Sequence, residues 1–471
     1  MRTALPPGFA GVVPGARDRH AWLNGKRICG DVRPQGAVVH SAPASIVLRR
    51  GSMPSFRSSA LVAGLLCVAA MTCPATAREL AITNARIVAA PDAEPIASGT
   101  VLLRDGRITA VGDSTEVAVP EGVERLDAGG GTVVAGFWNS HVHLIAPPLD
   151  RSATQPGDVL SEALLTQYLR WGFTTIFDIA SPPGSAFVLR MRIEDGDVTG
   201  PAILTTGTPF FPVDGVPAYL PTDLGGWSLK QAEVATPEEA AGRARRQLAA
   251  GADGLKIFAG AMVGGELGVL PMDDAIGKAV GDIAREAGKP LFAHPGNQAG
   301  VDAAIAAGTS VFAHTAPLMG PWDDALVQRL LAEDIALIPT LKLIEIEVRK
   351  EGGTPEVVER VMAVSRQQLE AFSRAGGTVL FGTDSGYIDW YDTRDELRQM
   401  HASGLDWRQV LASLTTAPAQ RFGQAGRKGR LAPGMDADLV VLGGDPAEDV
   451  AVLADVRYTL RAGKVVYAAG P

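Results

Sequence analysis

Cysteine is scarce in this chain of 471 residues. It occurs three times, and every copy lies before residue 78, at Cys29, Cys67 and Cys73. The chain from residue 78 onward can therefore form no disulfide and offers no thiolate to a metal. A metal bound by that part of the chain would need imidazole nitrogen and oxygen ligands.

Long apolar runs and positive charge are also in short supply. The apolar stretch of residues 60–71 falls short of the roughly 20 residues that a helix needs to cross a bilayer. The formal net charge is -9, and because the first 77 residues hold nine Lys or Arg against two Asp, the remainder carries -16. Such an acidic body argues against nucleic acid and anionic membrane surfaces as partners, and we expect no membrane anchor.

The first 77 residues have two parts. Residues 1–52 are rich in Arg, Pro and Gly without a sustained period, and we interpret them as a non-native or misannotated leader. From Met53, a single Arg57 precedes the apolar stretch, and Ala75-Thr76-Ala77 supplies the small residues of a cleavage site. We therefore predict a signal peptide at residues 53–77 and a periplasmic or secreted mature protein. A membrane anchor and a lipid-anchored cysteine are the alternatives, and this pattern supports them less well.

Short strands and turns occupy both ends of the mature chain. Residues 82–88 alternate in polarity, and Asp105-Gly106 is a typical hairpin turn between apolar segments. Residues 437–442, 456–460 and 464–467 show the same kind of pattern at the other end. Neither block is long enough for a full sheet, so we predict one small β-sandwich domain composed of residues 78–131 and 425–471.

Strand-like and helix-like segments alternate between these ends, which is typical of a parallel sheet. Eight such units most economically close into a (β/α)8 TIM barrel, which we assign to residues 132–424 of this α/β protein. Predicted strands lie near residues 133–141, 173–179, 201–207, 253–259, 289–294, 309–314, 335–340 and 378–384. Predicted helices lie near residues 158–171, 185–195, 237–250, 273–287, 299–307, 322–333, 355–375, 392–403 and 406–415.

One connection is unusually long. Residues 208–235 are rich in aromatic residues and proline and show no period. Long loops inside a compact domain are usually functional, and one that follows the third barrel strand should cover the mouth of the site. We predict a pocket wall or lid here. The alternative is packing against a neighbouring subunit, and we expect a homo-oligomer.

Six polar residues stand at the ends of the apolar runs in the central region. Because the carboxyl ends of barrel strands meet on one face, residues far apart in sequence can converge there. In His141-Val142-His143, both imidazoles lie on one side of a strand and can chelate one cation. A lone His-x-His is often structural, and a buried lysine could instead form an ion pair. The six residues are His141, His143, Lys256, His294, His314 and Asp384.

This order of ligand-like residues resembles the amidohydrolase superfamily, in particular its imidazolonepropionase-like and prolidase-like branch, which includes secreted Xaa-Pro dipeptidases. The similarity extends from Asn84-Ala85-Arg86-Ile87 to the segment 433–440. It implies one or two metal ions held by those six residues, with Zn2+ expected and Mn2+, Co2+ or Fe2+ as alternatives. It also implies that CO2 carboxylates Lys256, whose carbamate would bridge two metals. Pro295-Gly296-Asn297 follows His294 where deaminases typically have a glutamate, which disfavours deamination.

We therefore expect a hydrolase of small amides, either dipeptides or N-acyl amino acids. Asp384 is the expected general base and later acid, and a metal would lower the pKa of bound water to roughly 7. Tyr219, Lys342 and Tyr387 are candidate substrate-binding residues, and Asp178 could orient a metal-bound histidine or cap a helix. Hydrolysis of cyclic amides, lactones or phosphotriesters by the same centre is an alternative. A metal-free binding or scaffold protein is another.

Overall fold

The computed structural model describes residues 79–224 and 226–470. The predicted leader at 1–52, the predicted signal peptide at 53–77 and all three cysteines lie outside these ranges. None of the described helices is long and apolar enough to cross a membrane.

The described residues form a mixed α/β fold. Its strands are β1 (Glu79–Ile87), β2 (Ile96–Arg104), β3 (Arg107–Asp113), β4 (Glu124–Asp127), β5 (Thr132–Ala135), β6 (Phe137–Val142), β7 (Phe173–Asp178), β8 (Ala202–Thr205), β9 (Phe211–Pro212), β10 (Asp223–Leu224), β11 (Trp227–Ser228), β12 (Glu233–Val234), β13 (Leu255–Phe258), β14 (Gly260–Gly264), β15 (Gly268–Pro271), β16 (Leu291–His294), β17 (Val311–Ala313), β18 (Ala336–Ile338), β19 (Leu439–Leu442), β20 (Val456–Arg461) and β21 (Lys464–Ala468). Its helices are α1 (Gly157–Gln167), α2 (Ser185–Glu194), α3 (Pro237–Ala249), α4 (Asp274–Glu286), α5 (Gln298–Ala306), α6 (Asp324–Ala332), α7 (Leu341–Lys350), α8 (Pro355–Arg374), α9 (Arg394–Ala402), α10 (Trp407–Leu414) and α11 (Thr416–Arg421).

Strands from both ends of the described chain share one sheet. Its order is β21-β20-β19-β5-β1-β2-β3, with β4 paired to β1. The alternating apolar residues of these strands, among them Ile82, Val101 and Leu439, bury a core of their own. The two blocks recognised in the sequence therefore meet in space. The arrangement as a sandwich and the predicted domain boundaries stay predictions.

The expected single strand at 133–141 is wrong in one respect, because it is two strands. β5 pairs with β1 and β19 in the sheet of the chain ends, whereas β6 pairs with β7 in a parallel sheet. Gly136 separates them and packs closely on β7, where a Cβ would lie 2.2 Å from Thr174 Oγ1. Only glycine permits this approach, and the chain uses it to pass from one sheet to the other.

Two parallel sheets carry the central region. One has the order β6-β7-β8 and the other β13-β16-β17-β18. The backbone links them on both sides, through a parallel bridge between Phe210 and Ile257 and through a hydrogen bond of 2.8 Å from Ser140 N to Phe381 O. The second link passes through residues 378–384, which touch β18 by a bridge between Leu337 and Val379.

The eighth predicted strand is not a regular strand. The amides of Thr383 and Asp384 both donate to the carbonyl oxygen of His141, at 3.2 and 2.8 Å. Asp384 itself has a left-handed φ of 61°. The segment therefore turns at its end instead of continuing a ladder, and this turn places Asp384 beside the end of β6.

The nine predicted helices all have counterparts, with ends shifted by a few residues. Hydrogen bonds from capping side chains explain where several of these helices begin. The Thr236 side chain accepts a hydrogen bond from Glu239 N before α3, and Asp406 forms a capping box with Gln409 before α10. Helices α7 and α11 and the hairpin β14–β15 were not expected. Helix α7 reads Leu-Lys-Leu-Ile-Glu-Ile-Glu-Val, in which apolar and charged residues partly alternate as in a strand.

Candidate metal centre

His141 and His143 lie side by side at the carboxyl end of β6. Both are buried, and their Nε2 atoms are 3.3 Å apart. Val142 between them packs into the main hydrophobic core. The two-residue period of a strand thus separates an apolar face from a face that carries two imidazoles, as the sequence predicted.

Asp384 completes a tight cluster with the two histidines. Its Oδ1 lies 2.9 Å from His143 Nε2 and 3.4 Å from His141 Nε2. One ligand atom from each of the three residues lies within 4.8 Å of the others. Although His143 is close, Asp384 Oδ1 is buried without a hydrogen bond of acceptable geometry. Buried acceptors are rarely left in this state, and a cation among these three groups would satisfy them.

His314 and His294 flank this cluster. His314 Nε2 is 3.6 Å from Asp384 Oδ2, and its ring centroid lies 4.7 Å from that of His141. The His294 ring lies 4.9 Å from His314 and stacks on Phe258 at 5.2 Å. The ends of β16 and β17 therefore bring both imidazoles to the site. His314 itself has a φ of 110°, an unusual backbone conformation for a side-chain-bearing residue.

Lys256 lies buried on β13 with 1% of its surface exposed. Burial lowers its pKa to about 7, and the negative charge of Asp384 opposes this shift. The ion pairs among residues 79–224 and 226–470 do not include Lys256. The structure thus gives no support to the alternative of a structural ion pair. An amine with such a pKa is partly neutral near pH 7, and the neutral form is the one that reacts with CO2.

The imidazoles differ in their electrostatic surroundings. Burial and the neighbouring cationic groups lower the pKa of His141 and of His314, and burial together with Lys256 lowers that of His294 to about 3. Burial also acts to lower the pKa of His143, but the Asp384 carboxylate and other acceptors outweigh it and raise the pKa. Three of the four rings are therefore held neutral, which is the form that binds a metal.

Groups outside the cluster orient two of the rings. His143 Nδ1 lies 2.9 Å from the carbonyl oxygen of Ala180, and His314 Nδ1 lies 2.6 Å from Thr340 Oγ1. Asp178 bonds to none of the rings and caps no α-helix. It accepts from Leu144 N, Ser181 Oγ and Thr205 Oγ1, and so links the segments that follow β6 and β7 to the end of β8.

Thr340 and its supporting carboxylate were missed by the sequence reasoning. Thr340 has a left-handed φ of 44° and stands directly before α7. The buried Glu396, from α9, accepts from the N–H groups of Leu341 and Lys342 at 2.9 and 2.7 Å. Burial raises the pKa of Glu396 to about 7. This cap comes from 55 residues along the chain, so no local signal could have indicated it.

We expect Thr340→Val to weaken metal binding roughly 10- to 100-fold, because valine keeps the shape of the side chain but leaves His314 Nδ1 without its partner. Equilibrium metal titration of the purified variant measures this. Thr309→Val is the matched control, since the buried Thr309 Oγ1 has no hydrogen-bond partner to lose. Equal metal affinity in the two variants would show that Thr340 does not orient a ligand.

The three predicted substrate-binding residues occupy different surroundings. Tyr219, in the long loop, lies with its ring centroid 5.4 Å from that of Tyr387, and Tyr387 donates to Glu347 at 3.1 Å. The two tyrosines therefore stand together, and both are close enough to Asp384 for its charge to add to burial in raising the pKa of each phenol. Lys342 instead forms ion pairs with Asp395 and Glu345, at 2.9 and 3.1 Å. Its role in binding a substrate stays a prediction, as do the roles of both tyrosines.

The sequence and the fold of this chain are similar to those of a known protein family and of solved structures. Residues 132–466 match the Amidohydrolase family. The chain is 25% identical to the ochratoxinase of Aspergillus niger in an alignment that covers 82% of this chain and 86% of that protein.

Solved structures extend the similarity to the fold. A putative prolidase from Bifidobacterium longum is 28% identical, with a TM-score of 0.68 over 84% of this chain and 96% of that one. A Xaa-Pro dipeptidase with bound methionine in its active site has a TM-score of 0.69 at 20% identity, over 83% of this chain and 100% of that one. At that identity, the second match indicates a shared fold alone.

Proposed function

This chain belongs to the amidohydrolase family, and from that premise we propose that it is a metal-dependent hydrolase of dipeptides or N-acyl amino acids. As an amidohydrolase it is an enzyme that hydrolyses carbon–nitrogen bonds. The observation that carries the proposal is the buried cluster of His141, His143 and Asp384, whose ligand atoms face one another.

The fold we infer for the central region is the (β/α)8 barrel. Support comes from the two parallel sheets, the bridges that link them and the position of His141, His294 and His314 at strand ends. For the chain ends we retain the small β-domain, supported by their common sheet. Such a barrel places its chemistry at the carboxyl ends of the strands, where these residues lie.

The donor set suits Zn2+, because the candidate ligands offer imidazole nitrogen or oxygen and no cysteine is present among the described residues. His141, His143 and Asp384 would hold one ion, and His294 and His314 would hold a second together with a carbamate on Lys256. A bound metal supplies Lewis acidity, which polarises the scissile carbonyl and lowers the pKa of water to roughly 7. Mn2+, Co2+ and Fe2+ accept the same ligands.

Asp384 is the residue we assign to proton transfer. Its left-handed backbone, together with the hydrogen bonds that the N–H groups of Thr383 and Asp384 donate to the carbonyl oxygen of His141, holds its carboxylate against both histidines. From there it can take the proton of the attacking water and deliver it to the departing amine. We infer that the loop around Tyr219 gives the substrate an apolar wall, because Phe211, Leu220 and Trp227 of this loop pack in one hydrophobic cluster.

Amide substrates are favoured by the relatives. One is named a putative prolidase, another a Xaa-Pro dipeptidase and a third ochratoxinase. The alternative substrates are cyclic amides, lactones and phosphotriesters, which the same centre could attack.

A substrate panel tests the proposal. We expect the zinc-loaded protein to hydrolyse dipeptides and N-acyl amino acids with higher kcat/KM than lactones or phosphotriesters, and chelation to abolish the activity. Turnover confined to the esters would replace the amide proposal with the alternative. Absence of bound metal after expression with added zinc would instead favour a scaffold protein.

The proposals for cellular location and oligomeric state rest on the sequence. We propose a periplasmic or secreted enzyme on the pattern of residues 53–77, and a homo-oligomer in which the loop 208–235 is the segment to examine at a subunit interface.

A further inference from the structure

The ring of His294 is held differently from two other rings at the candidate metal centre. Oxygen atoms 2.9 and 2.6 Å away fix Nδ1 of His143 and Nδ1 of His314. Among the hydrogen bonds of the described residues, none reaches a ring nitrogen of His294. Metal-binding histidines almost always donate their second ring nitrogen to such a partner. The orientation of the His294 ring therefore depends on the side chains that pack against it.

Phe258 covers one face of the His294 ring. The two rings are nearly parallel, with an angle of 17° between their planes and 5.2 Å between their centroids. Phe258 follows Lys256 by two residues on β13, so both side chains stand on the same face of the strand. Lys256 Nζ accordingly lies 5.5 Å from the centroid of the Phe258 ring. Phe258 thus borders two of the six ligand-like residues.

The loop 208–235 has a small hydrophobic core of its own, and Phe258 is part of it. The buried members of this core are Phe211, Leu229, Ala232, Phe258 and Ala261. The ring centroids of Phe211 and Phe258 are 4.5 Å apart. Phe258 therefore contacts both a residue of the loop and a histidine of the metal centre.

Backbone hydrogen bonds place Phe211 next to Phe258. Phe210 N donates to the carbonyl oxygen of Lys256 at 2.8 Å, and Phe258 N donates to that of Phe210 at 2.9 Å. The loop therefore begins on the strand that carries Lys256 and Phe258. Opening the loop beyond Phe210 would withdraw Phe211 from the Phe258 ring.

Arg243, from α3, ties the two ends of this loop together. Its guanidinium donates to the carbonyl oxygen of Pro209 and to that of Ala232, the second at 2.7 Å. Its Cζ also lies 4.3 Å from the centroid of the Phe210 ring. A planar group with several donors can hold separate segments in this way. The base of the loop is thus attached to the body of the protein, and the packing of Phe211 on Phe258 links the loop to the metal centre.

We propose that the contacts from Phe211 to Phe258 and from Phe258 to His294 couple the loop 208–235 to the metal centre. Phe258 is then a positioning residue for His294, and the packed loop raises the affinity of the centre for metal. Because such coupling is reciprocal, the metal-bound protein in turn favours the packed loop. The inference rests on the metal-dependent part of the proposed function and adds a conformational control of the same site.

Zinc titration of the metal-free protein, with circular dichroism as a check of folding, tests the positioning role. Phe258→Leu keeps an apolar side chain but removes the flat ring, and should raise the dissociation constant for zinc about tenfold, as loss of an outer-shell partner does. Phe211→Leu touches no ligand and should raise it roughly two- to tenfold, the usual value of one aromatic pair.

Phe372→Leu is the matched control, since it removes a buried ring that packs on Trp322 in another part of the fold. It should lower the thermal stability and leave the affinity for zinc unchanged. Equal zinc affinity in Phe258→Leu and Phe372→Leu would refute the positioning role. Native affinity in Phe211→Leu would refute the link to the loop.

Trypsin measures the reciprocal effect. The side chain of Lys230, within the loop, is 74% exposed, and cleavage there can be followed by mass spectrometry. By reciprocity, zinc should slow this cleavage by a similar factor of about ten, and the protection should be smaller in Phe211→Leu. Cleavage at Arg104, beside the hairpin turn between β2 and β3, is the internal control. Equal protection of both positions, or undiminished protection in Phe211→Leu, would overturn the inference.

Neither measurement needs a substrate, which separates this inference from the proposed function. If the native protein hydrolyses amides while Phe258→Leu and Phe211→Leu bind zinc as tightly as the native protein, the function stands and the coupling is refuted. If no amide is hydrolysed but both variants weaken zinc binding and Phe211→Leu reduces the protection of Lys230, the coupling stands and the amide proposal is refuted.

Discussion

Lys256→Ala is expected to lose most of its activity and much of its bound metal. The amine of Lys256 is buried, forms no ion pair among the described residues, and has a pKa lowered to about 7 by burial. If its carbamate supplies an anionic ligand, removing it should cost more than the roughly 10- to 100-fold that changes in outer-shell partners cost. Metal content by elemental analysis and kcat/KM on the same preparation measure the two losses.

Two further measurements distinguish a ligand from a structural lysine. Bicarbonate or a short carboxylic acid should partly restore metal and activity in Lys256→Ala by placing a carboxylate in the vacated space. Lys256→Arg should not recover either, because guanidinium stays charged and cannot become an anionic ligand. Lys256→Met should remain folded, since an apolar chain of similar length replaces an unpaired buried amine. Full metal occupancy in Lys256→Ala would refute the carbamate.

Asp384→Asn is expected to lower kcat by about 100- to 10,000-fold, the usual contribution of a positioned general base and acid. Asparagine keeps the size and one oxygen of the side chain but cannot accept a proton. The loss should persist when the metal content is restored to that of the native protein, which separates proton transfer from metal retention.

A matched control for Asp384→Asn is Asp195→Asn, which makes the same change at an exposed position outside the site. That variant should retain native rates. If metal-replete Asp384→Asn kept more than about a tenth of the native kcat, the proton would have to travel by another group.

Much of the candidate site was predictable, because the direction of side chains within one strand follows from the local sequence. A strand repeats every two residues, so His141 and His143 had to share a face, with Val142 on the other. Apolar runs that end in polar residues indicated β13, β16 and β17, and the ends of β16 and β17 do bring His294 and His314 together. The expected strand-end position of Lys256 is wrong, because Lys256 is the second residue of β13 and Ile257 and Phe258 follow it in the strand. The alternation at the two chain ends likewise indicated strands that share one sheet.

Other features depend on contacts that no local pattern contains. Helix α7 has a strand-like alternation, yet it is a helix that Glu396 caps from across the fold. The first expected strand divides at Gly136 because the chain must pass between two sheets. The eighth expected strand ends in a turn because the N–H groups of Thr383 and Asp384 donate hydrogen bonds to the carbonyl oxygen of His141.

The sequence by itself determined which residue types were available for chemistry and on which face of each element they stand. Absence of cysteine after residue 77 limited the ligands to nitrogen and oxygen, and strand periodicity set the direction of the histidines. Only the tertiary structure decided the distances between them and the hydrogen bond between His314 Nδ1 and Thr340 Oγ1. These features depend on how segments that are distant in sequence pack together. The pKa of Lys256 depends on the same packing, because the burial that lowers it exists only in the folded protein.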